Sequence, residues 1–202
     1  MPEQCVITTD VGQNQVWIAQ SMEVKEHQRV LFSGGHGAMG YSLPAAIGAA
    51  IATGGPVICV TGDGGIQMNL QELQFIVREA LPVKIILLNN RSLGMIHHFQ
   101  EMYFHGNYVQ TDASKGFTIP DFIKVALAYG IKAVQNPSQE ELISILSMQG
   151  PALVELELPD KTHVYPKLGL HKSIHDQEPP LSLELFQKLE SILQNDIRVD
   201  TD

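Results

Sequence analysis

Apolar residues in this chain gather into short runs separated by longer stretches of helical spacing. The runs Cys5 to Thr9, Val30 to Ser33, Pro56 to Thr61, Val83 to Leu88, Ile131 to Val134 and Ala152 to Leu158 read as strands, those at Pro56 to Thr61 and Val83 to Leu88 as buried parallel ones. Between them, 3.6-residue periodicity predicts helices from Gly12 through Trp17 to Met22, over Ser42 to Thr53, and over Asn69 to Ala80. Pro44 fits the first turn of the second of these. A helix over 120–128 has Pro120 and Asp121 as start signals and Tyr129-Gly130 as its stop; others follow near Ser138 to Met148 and Ser182 to Leu193. Strand and helix alternate, which predicts an α/β doubly wound, mainly parallel sheet with helices on both faces. The pattern turns irregular from Met102 to Lys115, and Pro159 to Pro180 reads as a polar extended loop. The expectation is one domain over 1–202, with 159–202 as a loop-and-helix tail.

A chain of 202 residues is long enough for one sizeable core. Hydrophobic residues at 44% and charged residues at 17% describe a globular protein rather than a disordered one. Lys and Arg total 13 against 22 Asp and Glu, and a net charge of −9 has the wrong sign for nucleic acid or an anionic membrane. Cys5 and Cys59 form no metal-ligand spacing, and a thiol in a buried strand argues against a disulfide. No apolar run approaches the roughly 20 residues of a membrane helix, and Met1-Pro2-Glu3-Gln4 lacks a signal pattern. A reduced, cytoplasmic protein with no membrane or nucleic-acid partner is expected.

Chemistry enters with two short motifs. Gly62-Asp63-Gly64 closes one strand run and Asn89-Asn90 closes the next, with Asp63 and Asn90 27 positions apart, the span of a β-α-β unit. Open parallel sheets bind ligands outside the carboxyl ends of their strands. A carboxylate and an amide oxygen converging there, with glycines that expose backbone N–H groups, suit a magnesium ion carrying a diphosphate. Alone, Asp63 reads as a helix N-cap and Asn90 as a turn residue; their joint placement favours ligation. Gly64 and Gly65 suit either a tight turn or a phosphate at a helix N-terminus, and the two uses are compatible.

Here the chain resembles the thiamine diphosphate enzymes, whose cofactor signature is GDG followed one β-α-β unit later by NN. It is most similar to the diphosphate-binding domain of the acetolactate synthase large-subunit family. Val11 to Trp17, Gly34 to Gly40, Leu43 to Gly48 and Leu93-Gly94-Met95 fall where that family has similar segments. The resemblance implies thiamine diphosphate and Mg²⁺ as cofactors and a 2-oxo acid as substrate. It implies Mg²⁺ held by Asp63, the Asn90 side-chain oxygen and the Ser92 carbonyl. Gly62, Gly64 and Gly65 would approach the diphosphate, with Gly12, Gln13 and Asn14 on its other side. Gly37, Ala38 and Met39 would meet the cofactor, with Met39 wedged between its two rings; Leu93, Gly94 and Met95 would line the substrate side.

Two positions depart from the family. His36 stands where Leu is usual, and it either donates a proton or hydrogen bond to a bound intermediate or fills a variable polar position. Phe99 stands where Trp is usual, which puts the acceptor substrate in doubt. Of the adjacent His97 and His98, at most one is expected to face the site.

In the family, a glutamate on a separate pyrimidine-binding domain activates the cofactor, commonly across a dimer interface. That domain is expected to be absent, so the chain would be inactive alone and would need a pyrimidine-binding partner, with homo-oligomerisation expected. A natural subunit of a split 2-oxo acid decarboxylase and a non-catalytic remnant are the alternatives. A Rossmann-type nucleotide module fits poorly, because Gly62-Asp63-Gly64 is not G-x-G-x-x-G and an Asp at the turn repels phosphate without a metal.

Overall fold

The structure is a computed structural model describing residues 4–160 and 162–196. Met1 to Glu3, read above for a signal pattern, and residues 197–202 of the tail lie outside the described residues. The chain divides into two compact units, Met1–His163 and Val164–Asp202.

The first unit is built on β1 (Cys5–Thr9), β2 (Gln28–Phe32), β3 (Val57–Gly62), β4 (Val83–Asn89), β5 (Lys132–Gln135) and β6 (Ala152–Glu157). They form one sheet in the order β2-β1-β3-β4-β6-β5, with every pairing parallel. Helices α1 (Gln13–Ser21), α2 (Ser42–Thr53), α3 (Asp63–Ile66), α4 (Glu72–Arg78), α5 (Gly94–Tyr103), α6 (Phe122–Ala128) and α7 (Gln139–Ser147) connect them. Side chains alternate along each strand. Val57, Cys59, Ile85 and Leu87 therefore pack with Leu43 and Ala46 of α2, Leu73 and Ile76 of α4 and Phe122 of α6. Ile58 and Val60 point the other way, to a cluster that Ile18 of α1 and Leu146 of α7 cover. Helices thus cover both faces, as a sheet buried on both sides requires.

Lys84 interrupts the apolar run of β4, yet it is buried. Its Nζ donates to Met148 O at 2.8 Å and to Gly150 O, carbonyls at the end of α7 where the helix dipole favours a cation. Burial pulls its pKa down. Burial likewise pushes the free Cys59 thiol up to about 12. Helix α7 opens with a capping box, in which Ser138 Oγ accepts from Glu141 N and Glu141 Oε2 accepts from Ser138 N.

The single helix expected over Asn69 to Ala80 is broken and begins earlier. The chain enters α3 directly from β3 at Asp63, passes through a 3₁₀ turn at Gln67–Asn69, and resumes as α4. The turn is this abrupt because Gly65 packs against Asp10, where a Cβ would lie 2.8 Å from the carboxylate carbon. In the second unit, β7 (Lys167–Leu168) and β8 (Gln177–Glu178) pair antiparallel inside the segment expected to be loop, and α8 (Leu183–Asp196) follows.

Candidate functional site

Strand order places the site. The chain runs from β1 outward to β2 and then crosses back to β3, so the direction of winding reverses between β1 and β3, where open α/β sheets bind ligands. Gly62 pairs with Leu88 in the β3–β4 register, so Asp63 and Asn90 leave adjacent strands almost level with each other. The first turn of α1 reaches the same place from β1. Gly12, Gln13, Asn14, Gly62, Asp63 and Asn90 all line one cleft.

Asp63 is 3% exposed and Asn90 5%. Asp63 Oδ1 accepts from Gly64 N at 2.8 Å and Oδ2 from Ser92 N at 3.0 Å, which fixes the carboxylate across the mouth of the two strands. Burial pushes its pKa up to about 6, against the pull of those N–H groups. A carboxylate raised in this way gains from any cation that joins it. The Asn90 Nδ2 donates to Gln13 Oε1 at 2.9 Å, and Gln13 Nε2 in turn donates to Thr162 O at 2.7 Å. With its NH₂ spent on Gln13, Asn90 has its carbonyl oxygen left to offer a ligand. The Ser92 hydroxyl is likewise spent, on Thr111 O at 2.8 Å.

One carboxylate, one amide oxygen and a main-chain carbonyl are hard donors. Among the described residues no three His, Cys, Asp or Glu side chains group as metal ligands. Such a set is too small for an all-protein cage but fits Mg²⁺, which keeps waters and takes phosphate oxygens as its remaining ligands.

Glycine shapes the rest of the cleft. A Cβ at Gly62 would meet Asn14 Oδ1 at 2.8 Å, and one at Gly64 would meet Leu93 Cδ2 at 2.5 Å and Met39 Cε at 3.1 Å. Helix α1 starts after Gly12, at φ 126°, with neither a side-chain cap nor an acidic residue in its first turn, so its N-terminus suits an anion. The N–H of Gly64, in contrast, is turned onto Asp63. Met39, Leu93 and Met95 supply an apolar wall together with Val11, Trp17, Leu88 and Ile96, and Gly65, Ser92 and Gly94 also line the cleft.

Not every residue singled out in the sequence arrives here. His36, Gly37 and Ala38 are exposed on the loop before Met39 and lie outside the cleft lining. His97 and His98 are both buried, and neither lines the cleft. Instead His97 stacks on Tyr108 at 4.0 Å and pairs with Asp112 at 3.4 Å, while His98 stacks on His163 at 4.1 Å. Phe99 packs on Tyr103 at 4.7 Å and stays 37% exposed.

Sequence reasoning passed over Asp10, which is fully buried at the end of β1 and accepts from Gly40 N, Ser42 N and Ser42 Oγ. Its one sequence signal is an acidic residue closing an otherwise apolar strand. Nor did the sequence show that Gln13 holds Asn90.

The family described as "Thiamine pyrophosphate enzyme, C-terminal TPP binding domain" matches residues 10–156. The acetolactate synthase isozyme 2 large subunit of Escherichia coli (strain K12) is 39% identical over 170 residues, which are 82% of this chain and 30% of that protein. The acetolactate synthase large subunit of Pyropia yezoensis is 40% identical over 178 residues, 86% of this chain and 30% of that protein. A probable acetolactate synthase large subunit of Methanococcus aeolicus is 42% identical over 159 residues, 76% of this chain and 26% of that protein. The chain therefore spans about 30% of the length of the first two relatives.

Proposed function

Because the chain belongs to the thiamine pyrophosphate enzymes through their C-terminal TPP-binding domain, we propose that its cleft holds Mg²⁺ and the diphosphate of thiamine diphosphate. On this reading the chain is one component of a 2-oxo acid decarboxylase or carboligase resembling acetolactate synthase. The observation that carries it is the pairing of two oriented oxygen donors on adjacent strand ends, Asp63 anchored by Ser92 N and Asn90 turned by Gln13.

When bound, thiamine diphosphate would supply a nucleophilic carbon, and its thiazolium ring would serve as the electron sink for loss of CO₂ from a 2-oxo acid. The residues of this chain bind and orient. Asp63, Asn90 and the Ser92 carbonyl would hold the metal, and the N–H groups of the first turn of α1 would receive the diphosphate. Met39 would pack against the cofactor rings, and Leu93 and Met95 would supply apolar lining on the substrate side. His36, outside the cleft lining, is the weakest member of this set. Its role as a proton or hydrogen-bond donor would need the loop before Met39 to turn inward.

The activating glutamate would come from a pyrimidine-binding domain or subunit, and assembly as a homo-oligomer belongs to the same proposal. Ile96, Phe99, Tyr103 and Phe104 support it, since they expose apolar surface along α5 and just beyond it, and such patches mark interfaces. A cytoplasmic location is part of the reading too. Among the described residues no helix is long and apolar enough to cross a membrane.

Isothermal titration of thiamine diphosphate tests the reading, with and without Mg²⁺, on the wild-type chain, Asp63→Ala and Asn90→Ala, each alone and with a pyrimidine-binding domain from a relative. Metal-dependent binding that both substitutions abolish is expected. A folded chain that binds nothing even with the added domain, or that binds equally well after Asp63→Ala, would sink it. Binding only in the presence of the added domain would favour a split enzyme over a remnant.

A further inference from the structure

We propose that Asp10 is a positioning residue: its carboxylate ties the loop that carries Met39 to the strand ends that carry the diphosphate site, and so sets the width of the cleft. The inference rests on the reading of the cleft given above.

Asp10 is fully buried, and its partners are N–H and O–H donors rather than a cation. Oδ1 accepts from Val11 N at 2.8 Å and Gly40 N at 2.9 Å. Oδ2 accepts from Ser42 Oγ at 2.8 Å and Ser42 N at 3.3 Å, and Thr61 Oγ1 lies 3.4 Å away, shared with Gly62 O at the same distance. These donors come from three places in the chain: the end of β1, the loop leading into α2 with that helix's first residue, and β3 two residues before Asp63. A buried charge is tolerable only while it is hydrogen-bonded. Moving the loop would therefore strand the carboxylate, and the same charge holds all three segments at once.

The grip is local to Met39. Gly40, the next residue, gives its N–H to Asp10, while its carbonyl accepts from Asn69 Nδ2 at 2.6 Å. Its φ of +83° is the left-handed conformation that glycine adopts freely, and a Cβ there would lie 2.7 Å from Met68 Cβ. Gly40 is thus clamped from both sides. Met39 Cε ends 3.1 Å from where a Gly64 Cβ would stand. Asp10 reaches that same turn from behind, through Thr61 and against Gly65. The carboxylate accordingly joins the wall that Met39 forms to the turn that begins with Asp63.

Asp10→Asn keeps the size of the side chain but turns one acceptor into an NH₂ that must confront a donor. Hydrogen exchange on the ligand-free chain should show the Gly40 and Ser42 amides exchanging at least about tenfold faster, with Ile58 and Ile85 unchanged. In titrations with Mg²⁺, thiamine diphosphate should bind about tenfold more weakly, while inorganic diphosphate, which has no rings to set against Met39, should lose distinctly less. Unchanged exchange at Gly40 and Ser42 overturns the proposal, and so does an equal loss for both ligands, which would mean general damage. Should Asp10→Asn fail to fold, Ser42→Ala removes one donor alone; faster exchange at Gly40 then supports the proposal and an unchanged rate refutes it. If neither ligand binds the wild-type chain, the reading of the cleft fails, and the exchange rates decide the role of Asp10 by themselves.

Discussion

Gly94→Ala sets two physical effects against each other, and the structure decides between them. Gly94 opens α5, where helix propensity alone predicts that alanine stabilises by roughly 1 kcal/mol. The added methyl, however, would fall inside contact distance of Gln13 Oε1, 2.6 Å from Gln13 Cδ and 2.7 Å from Asn90 Nδ2. The Gln13–Asn90 hydrogen bond must then open. Losing it costs about 1 kcal/mol net, and each buried polar group left unpaired adds about 1–3 kcal/mol. After subtracting the propensity gain, a net loss of at least about 2 kcal/mol remains. For a chain of this size, that corresponds to a fall in Tm of roughly 4–8 °C. Thermal and urea denaturation of the two proteins measure it directly. The double variant Gln13→Ala/Gly94→Ala, in which the Gln13 contacts are gone and only Asn90 Nδ2 must give way, should cost less than the sum of the two single changes. A Gly94→Ala protein as stable as the wild type, or more stable, would refute the packing described for Asn90.

Asp63 makes stability depend on pH. Its folded pKa of about 6 lies above the ordinary 3.8, so its contribution is fully present below about pH 4 and is lost as pH rises through 6. The full difference corresponds to about 3 kcal/mol. Asp63→Asn should remove this slope in urea titrations across pH, though its NH₂ must then face the Gly64 or Ser92 N–H, and added Mg²⁺ should stabilise only the wild type. An unchanged pH profile in the variant would count against the burial of the carboxylate. Lys84→Met should lower stability by about 1–3 kcal/mol, because Met148 O and Gly150 O lose a buried donor; a neutral effect on denaturation would show that packing alone serves there. Ser138→Ala should cost about 1 kcal/mol by opening the capping box of α7, read as a Tm shift of roughly 2–4 °C.

The central strands are legible because burial on both faces writes itself as mainly apolar runs; Cys5 to Thr9 and the start of β4 at Val83 stand where the runs place them. Asp63 and Asn90 were legible because they close two such runs one β-α-β unit apart. What escaped was decided by distant contacts. The early start of α3 follows from Gly65 abutting Asp10, a contact that periodicity cannot register. His97 and His98 are both buried because Tyr108 and His163 supply ring partners from elsewhere, whereas a helical wheel treats them only as neighbours on different faces. Asp10 resembled a residue ending a strand, since its donors at Gly40, Ser42 and Thr61 lie 30 to 51 positions downstream.

The hydrogen bond from Gln13 Nε2 to Thr162 O spans 149 positions. During translation, Asp63, Asn90 and the glycines around them leave the ribosome well before residue 162 does. Until then Gln13 lacks the partner that steadies it, and the amide it holds on Asn90 is free to rotate. The metal end of the cleft is therefore finished by nearly the last stretch of the first unit to be made. A nascent chain halted between residues 100 and 150 should carry every proposed side-chain ligand and still grip a cation poorly, because it lacks β6 beside β4 as well as Thr162.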